Sequence, residues 1–521
     1  MVRRATLVLA ALVTLSVAGA GVRLGAQVPE PTMLHPRLGV RTVVDGLVTP
    51  STLAFMGADD FLVLEKNTGQ VKRVVDGDVT GVVLDLAVNS ASERGLLGIA
   101  LHPDFPDDPG VYLFWSCRTS APPANPFVPD QKRCSNKNMF GDDSEDLLEV
   151  PLLGNRIDRF EWNEKSSMLE FDHNLDMLRS FQNDGAPVPP GQGDQAQPPR
   201  GNHDGGVIAF GPDGKLYVIV GDLGRRGHMQ NLPCGPTAKC PGPTAQDDQF
   251  GGPEPDDAHL SGVILRLNDD GTTPRDNPFF AAGAAVRGEV GANIKRIFAY
   301  GVRNSFGMAF DPVSGNLWDQ QNADDAFDEL NLVRPGMNGG WIQIMGPVKR
   351  IAQFKSIELT QPPSGDLPGA ELQQLRWPPA NIADTPGKAR SRLFMLPGAR
   401  YSDPEFSWKF AVPPAAIGFV DGAGLGRQFR GDLFVGAATP FTEGGYLFHF
   451  NLTGNRREIA VDDPRLRDRV ADNLEKHDIT ESESLLIGRD FGVTTDIETG
   501  PNGHLFLVSL SNGAVYEIFR R

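Results

Sequence analysis

Two stretches of the 521-residue chain set ionisable side chains at the ends of apolar runs, where a fold can aim them at a common point. In GNHDGGVIAFGPDGKLYVIVGD, residues 201–222, His203 stands where a loop enters an apolar strand and Asp222 where the paired strand ends. An aspartate beside an imidazole fixes its tautomer and raises its basicity, which prepares a general base. A lone loop histidine is more often solvated or structurally bonded. Gly205 and Gly206, which permit close backbone approach, and Asp222 on the same rim favour chemistry here.

In AYGVRNSFGMAFDPVSGNLWDQQNADDAFDELNLV, Arg303 and Asn304 hold the equivalent strand entrance. Arginine there can grip an anionic group through its fork of donors, with asparagine adding a directional bond; a surface ion pair is the other use. Glu93, in SERGLLGIALHPDF, occupies the same position in an earlier hairpin. After the Arg303 hairpin come Asn322, Asp324, Asp325, Asp328 and Glu329, read as one oxygen-rich loop. Such a loop suits calcium, although the EF-hand spacing and glycine are missing; a solvated acidic loop is the alternative.

The elements that must position these groups recur. A short apolar strand, a turn of Pro, Asp, Asn or Gly, and a second strand with aromatic residues occur in PSTLAFMGADDFLVLEKNTGQVKRV, RGLLGIALHPDFPDDPGVYLFWS, GGVIAFGPDGKLYVIVGD, SFGMAFDPVSGNLWDQ, AIGFVDGAGLGRQFRGDLFVGA and TDIETGPNGHLFLVSLSNGAVYEI. Each is a β-hairpin, and a further strand of the type GVILRLN, GYLFHFNL or GAVYEIF follows several of them. Repeats of a small antiparallel sheet predict an all-β fold, a six-bladed β-propeller of four-stranded antiparallel blades occupying residues 38–521 as one domain. The early VRTVVDGLV is expected to complete the last blade. Long inserted loops, rich in Pro, Gly, Asp and Gln, lie near 116–148, 180–202, 224–260 and 346–405, and helices look scarce. A two-sheet sandwich does not explain hairpins that recur to the end of the chain.

Asp and Glu total 66 against 49 Lys and Arg, a net charge of -17, and no long basic run exists. Nucleic acid and anionic membranes are therefore poor partners. Residues 1–26 open with two arginines, Arg3 and Arg4, followed by an apolar run and small residues, the pattern of a signal peptide cleaved after Ala20 or Ala26. Its apolar run is shorter than the roughly 20 residues that span a bilayer, so a periplasmic or secreted protein is expected. In that compartment Cys117 with Cys134, and Cys234 with Cys240, are expected to pair as disulfides.

With these motifs together, the chain resembles the soluble glucose/sorbosone dehydrogenase family, six-bladed propellers that use pyrroloquinoline quinone (PQQ) and calcium. The matching segments are ERGLLGIALHPDF, HDGGVIAFGPDGKLYVIVGD, GVILRLNDDGTTPRDNPF, YGVRNSFGMAFDPVSGNLW and DELNLVRPGMNGGW, in the family's order. The resemblance implies that His203 takes the proton of an anomeric hydroxyl while hydride passes to the quinone, and that Asp222 orients it. It further implies that Arg303 and Asn304 contact PQQ, that Glu93 lies beside substrate and cofactor, and that backbone carbonyls of Ala323 and Asp324 help to hold calcium as a Lewis acid. The product is then a lactone, and a cytochrome or other external acceptor takes the electrons.

The chain departs from the family where a lysine and two arginines usually neutralise the cofactor's carboxylates: Thr439, Val493 and Thr495 stand there. Arg225, Arg226 or Arg489 would have to supply that charge from loops. Two classes of function follow. The first is an exported quinoprotein sugar dehydrogenase. The second is a propeller that has lost the quinone and serves as a carbohydrate-binding or interaction module. Metal-assisted lactone hydrolysis on the same frame is a weaker third.

Overall fold

A computed structural model of the chain describes residues 30–90, 93–116, 155–178, 203–222, 231, 260–360, 379–440 and 444–521. Residues 1–26, expected to be a signal peptide, the four cysteines and most of the three earlier inserted loops lie outside these residues.

Every hairpin phrase forms an antiparallel strand pair that opens a sheet. The pairs are Pro50–Gly57 with Asp60–Glu65, Leu96–Leu101 with Gly110–Ser116, and Ile208–Phe210 with Leu216–Val220. They continue as Gly307–Phe310 with Leu317–Gln321, Pro414–Phe419 with Leu433–Ala437, and Thr494–Thr499 with Leu505–Ser509. The turns follow from sequence: in Gly-Pro-Asp-Gly and Gly-Pro-Asn-Gly the N–H of Gly211 reaches the Lys215 carbonyl and that of Gly500 the His504 carbonyl, closing the same tight reversal twice.

The first strand of each sheet touches the first strand of the next, and Thr494–Thr499 returns to Pro50–Gly57, so the six sheets contact in a closed cycle. The cycle is fastened by the two ends of the described chain. Leu38–Val44 pairs antiparallel with Ala514–Arg520, setting Val40 opposite Ile518 and Thr42 opposite Tyr516. That is the closure expected of VRTVVDGLV.

The cores lie between neighbouring sheets. Trp318, Phe406, Trp408, Val435, Phe448 and Phe450 form one, with the Phe406 and Trp408 rings edge to face at 4.9 Å. Burying each such side chain fully contributes roughly 1.5–3 kcal/mol. This repeated, mutual burial is why no sheet can stand alone.

Uniform four-stranded sheets are not what forms. Three sheets are larger, because additional short strands pair onto them. Met337–Asn338 and Arg400–Tyr401 extend the third, Val470–Ala471 the fourth, and Thr32–Met33 with Ile459–Ala460 the fifth. Covering an open edge satisfies its backbone N–H and C=O groups. Helices are also less scarce than expected: Phe280–Ala284, Gly288–Arg296, Ile351–Thr360 and Pro386–Arg390 are α-helical. In the third of these, Ile351, Phe354 and Ile357 recur at helical spacing and are buried. No helix among the described residues is long and apolar enough to cross a membrane.

Candidate active site

His203 and Asp222 meet as their places in the hairpin require. His203 Nδ1 lies 2.5 Å from Asp222 Oδ1, and the aspartate is 1% exposed. The other carboxylate oxygen, Oδ2, accepts the indole N–H of Trp341 at 2.7 Å. His203 is buried rather than solvated, and its backbone adopts φ 59°, a conformation uncommon for a residue with a side chain. Its backbone N–H donates to Glu93 Oε2, which also accepts from Asn304 Nδ2 at 3.4 Å.

Three strand entrances thus converge. Glu93, His203 and Asn304 come from the second, third and fourth sheets and share one hydrogen-bonded cluster. Gly221 makes the approach possible: a Cβ there would lie 2.2 Å from the His203 carbonyl oxygen and 2.8 Å from that of Arg303. The backbone N–H of Asp222 donates to the Arg303 carbonyl at 2.7 Å, which locks the two entrances together.

Arg303 is 5% exposed and is no surface ion pair. Its Nη1 donates to the Asn322 carbonyl at 2.6 Å, its Nη2 lies 3.7 Å from Asp324 Oδ1, and its guanidinium stands 5.3 Å from the centre of the Trp341 ring. The arginine therefore braces the acidic segment against the base.

That segment is not the single solvated loop its composition suggested. Asp328 and Glu329 lie in the strand Ala326–Val333, every residue of which is buried. Asp328 caps two backbone N–H groups, Ala323 at 2.7 Å and Val412 at 2.6 Å, and burial pushes its carboxyl up to about 6. Glu329 accepts the Gly346 N–H at 2.6 Å and is pushed up to about 8 by burial. Both belong to the framework.

The oxygens that do gather are those of Asp324, Asp325 and Glu358, one from each lying within 4.8 Å of the others. Glu358, from the helix Ile351–Thr360, accepts the N–H groups of Asp325 at 3.2 Å and Ala326 at 3.1 Å. Burial, with Asp324 and Asp325 adding to it, pushes its carboxyl up to about 8. Asp325 is 2% exposed; Lys476 pairs with its Oδ1, while its Oδ2 is buried without a hydrogen-bond partner.

Behind His203 lies a second charged group that the sequence did not announce. Asp204 is buried, accepts Asn155 Nδ2 at 3.1 Å, and is pushed up to about 7 by burial. Lys66 is lowered to about 8, chiefly by burial, with the nearby charges of Glu93 and Asp204 acting against it. Trp341, Glu358, Lys66 and Asp204 are thus the site's unforeseen members.

The family model described as Glucose / Sorbosone dehydrogenase matches residues 47–147 and 193–350, the segments that carry Glu93, His203, Asp222, Arg303, Asp324 and Asp325, while Glu358 lies just beyond them. The chain belongs to the glucose/sorbosone dehydrogenase family. It is 28% identical over 311 residues to quinoprotein glucose dehydrogenase B of Acinetobacter calcoaceticus, covering 59% of this chain and 52% of that protein, so the match spans about half of the relative's length. It is 34% identical over 141 residues to an aldose sugar dehydrogenase of Escherichia coli, covering 27% of this chain and 29% of that one. In fold it is similar to the crystal structure of the soluble aldose sugar dehydrogenase of Escherichia coli in its apo form, with TM-score 0.54 and 19% identity over 93% of this chain and all of that one.

The family's implied metal and cofactor fare differently against these residues. Three carboxylates with an unpartnered buried oxygen, backed by the segment Ala323–Asp325, form the hard-oxygen donor set that calcium takes. At Thr439, Val493 and Thr495, where the resemblance implies cations facing the quinone carboxylates, the side chains are neutral. Thr495 Oγ1 donates to the Pro50 carbonyl at 3.4 Å, and the Val493 N–H to Ser511 Oγ at 2.8 Å. The described residues therefore fit calcium and do not supply the family's usual cations for the PQQ carboxylates at Thr439, Val493 and Thr495.

Proposed function

We propose that this member of the glucose/sorbosone dehydrogenase family is an exported sugar oxidoreductase built on a six-bladed propeller, removing a hydride from an aldose to give a lactone. The observation that carries the reading is the buried His203–Asp222 pair, set beside Glu93, Asn304 and Arg303 where three strand entrances meet. The closed cycle of six sheets supports the propeller, with residues 38–521 as one domain.

Asp222 on Nδ1 selects the tautomer in which His203 Nε2 is the accepting nitrogen. In the reaction His203 Nε2 takes the proton of the sugar hydroxyl as the C–H bond breaks, and Asp222, bonded to Nδ1, stabilises the imidazolium that forms. Glu93 and Asn304 bound the substrate side, and the position of Glu93 is fixed by the His203 backbone. PQQ is the acceptor that the resemblance implies, and when bound it supplies a two-electron sink. Asp324, Asp325 and Glu358 would hold calcium, with the carbonyls of Ala323 and Asp324 as the further ligands the resemblance implies, and the ion would supply Lewis-acid chemistry.

The test is titration of the purified mature protein with PQQ and calcium, following the bound-cofactor spectrum and dye reduction with a panel of aldoses. Turnover that His203→Ala abolishes while cofactor binding persists is the expected result. Full activity in that variant removes His203 from the mechanism. Sugar binding without PQQ binding or turnover would leave a carbohydrate-binding propeller instead.

A further inference from the structure

We infer that Trp341 is a positioning residue that joins the His203–Asp222 pair to Arg303, holding base and guanidinium in one assembly. The inference rests on His203 acting as the base. Both oxygens of the buried Asp222 are engaged, Oδ1 by His203 and Oδ2 by the Trp341 indole. A carboxylate held at one oxygen can turn about its Cβ–Cγ bond, whereas bonds at both oxygens fix its plane and with it the plane of the imidazole. Indole N–H is a donor only, so the contact demands an accepting oxygen of Asp222.

The other surface of the same side chain carries the Arg303 guanidinium, 5.3 Å from the ring centre, where a cation is attracted to the aromatic face. Arg303 in turn reaches the Asn322 carbonyl beside the acidic cluster. One indole thus connects the two halves of the site.

Trp341 is itself held by a buried amide network. Its backbone N–H donates to the Gly301 carbonyl at 3.2 Å, and its carbonyl accepts Asn231 Nδ2 at 2.8 Å. Asn231 and Asn338 exchange side-chain hydrogen bonds at 2.7 and 2.6 Å, and Gln343 Nε2 donates to the Asn231 carbonyl at 3.0 Å. All three amides are fully buried. An anchor of this kind is more than core packing needs and is what a fixed orientation requires.

Trp341→Phe keeps a ring face for Arg303 and removes only the N–H. Its kcat is expected to fall about 10–100-fold, the usual loss when a supporting hydrogen bond is removed, with KM changed by less than about threefold. In histidine-labelled protein the 15N signals of His203, assigned by their absence in His203→Ala, are expected to leave the single-tautomer pattern of the native protein. In Asp222→Asn the indole N–H of Trp341, but not those of the other five tryptophans, is expected to move upfield. A folded Trp341→Phe protein with unchanged His203 signals and kcat overturns the inference. Should that variant fail to fold, an unmoved indole signal in Asp222→Asn overturns it equally. Absence of sugar turnover in the native protein would refute the proposed function alone, because the NMR signals read the Trp341–Asp222–His203 chain without turnover.

Discussion

Glu93 accepts the backbone N–H of His203 across 110 residues of sequence, so a carboxylate from one sheet sets the backbone of the base in the next. His203 makes that contact with φ 59°, a left-handed backbone conformation uncommon for a residue with a side chain. Glu93→Gln keeps an accepting oxygen and is expected to retain kcat/KM within about threefold, whereas Glu93→Ala is expected to lose about 10–100-fold, as supporting contacts of this kind do. Steady-state kinetics on both variants check this. Equal losses would show that charge rather than the acceptor holds the loop.

Gly221 offers a sharper test of how closely the entrances must approach. A methyl group there would press on the carbonyl oxygens of His203 and Arg303, which belong to rigid backbone and cannot swing aside. Gly221→Ala is expected to destabilise the fold by about 1–3 kcal/mol through overpacking and to lower activity more than that loss of folded protein explains. Thermal melts combined with activity per folded molecule separate the two effects. An active, fully stable variant would mean that the entrances are looser than the contacts imply.

The parts legible in the sequence were those where local pattern and position coincide. His203 and Asp222 flank one hairpin, and hairpin geometry alone brings such ends together. Glu93 and Asn304 could be grouped with them because each precedes the first strand of a sheet, although no local signal says that they touch. Asp328 and Glu329 were misread because AFDELNLV alternates poorly: a strand buried on both faces needs no polar side, and its carboxylates are paid for by backbone donors from other segments. Glu358 was invisible for another reason. Its helix follows a Pro- and Gly-rich stretch, and only the tertiary fold carries that helix to Asp324 and Asp325.

Calcium is expected to bind at this second-half cluster and to stabilise the protein by linkage, by about 2.7 kcal/mol when its concentration is a hundred times the dissociation constant. Asp325→Asn and Glu358→Gln each remove a charged ligand and are expected to weaken binding by about tenfold or more, since affinity follows ligand charge. Isothermal titration of metal-stripped protein, together with melts in EDTA and in calcium, provides the measurement. Native affinity in both variants would place the ion elsewhere.

The buried carboxyls also fix the sign of a pH effect in calcium-free buffer. Burial raises Asp204 and Asp319 to about 7 and Glu329 to about 8, well above the values of these groups in an unfolded chain. Between those limits the folded state binds more protons than the unfolded one, so the stability these groups contribute is full below the unfolded values and is lost as pH rises through 7 to 8. Lys66, lowered to about 8, titrates in the unfolded chain only at higher pH and offsets little of this below 8. Each group that holds its proton when folded changes the balance by about 1.4 kcal/mol per pH unit at most. The melting temperature of the calcium-free protein is therefore expected to fall by several degrees from pH 6 to pH 8. Asp319→Asn, which keeps the shape and cannot ionise, should flatten part of that fall. A melting temperature that rises over this interval would show that these carboxyls are ionised in the native protein.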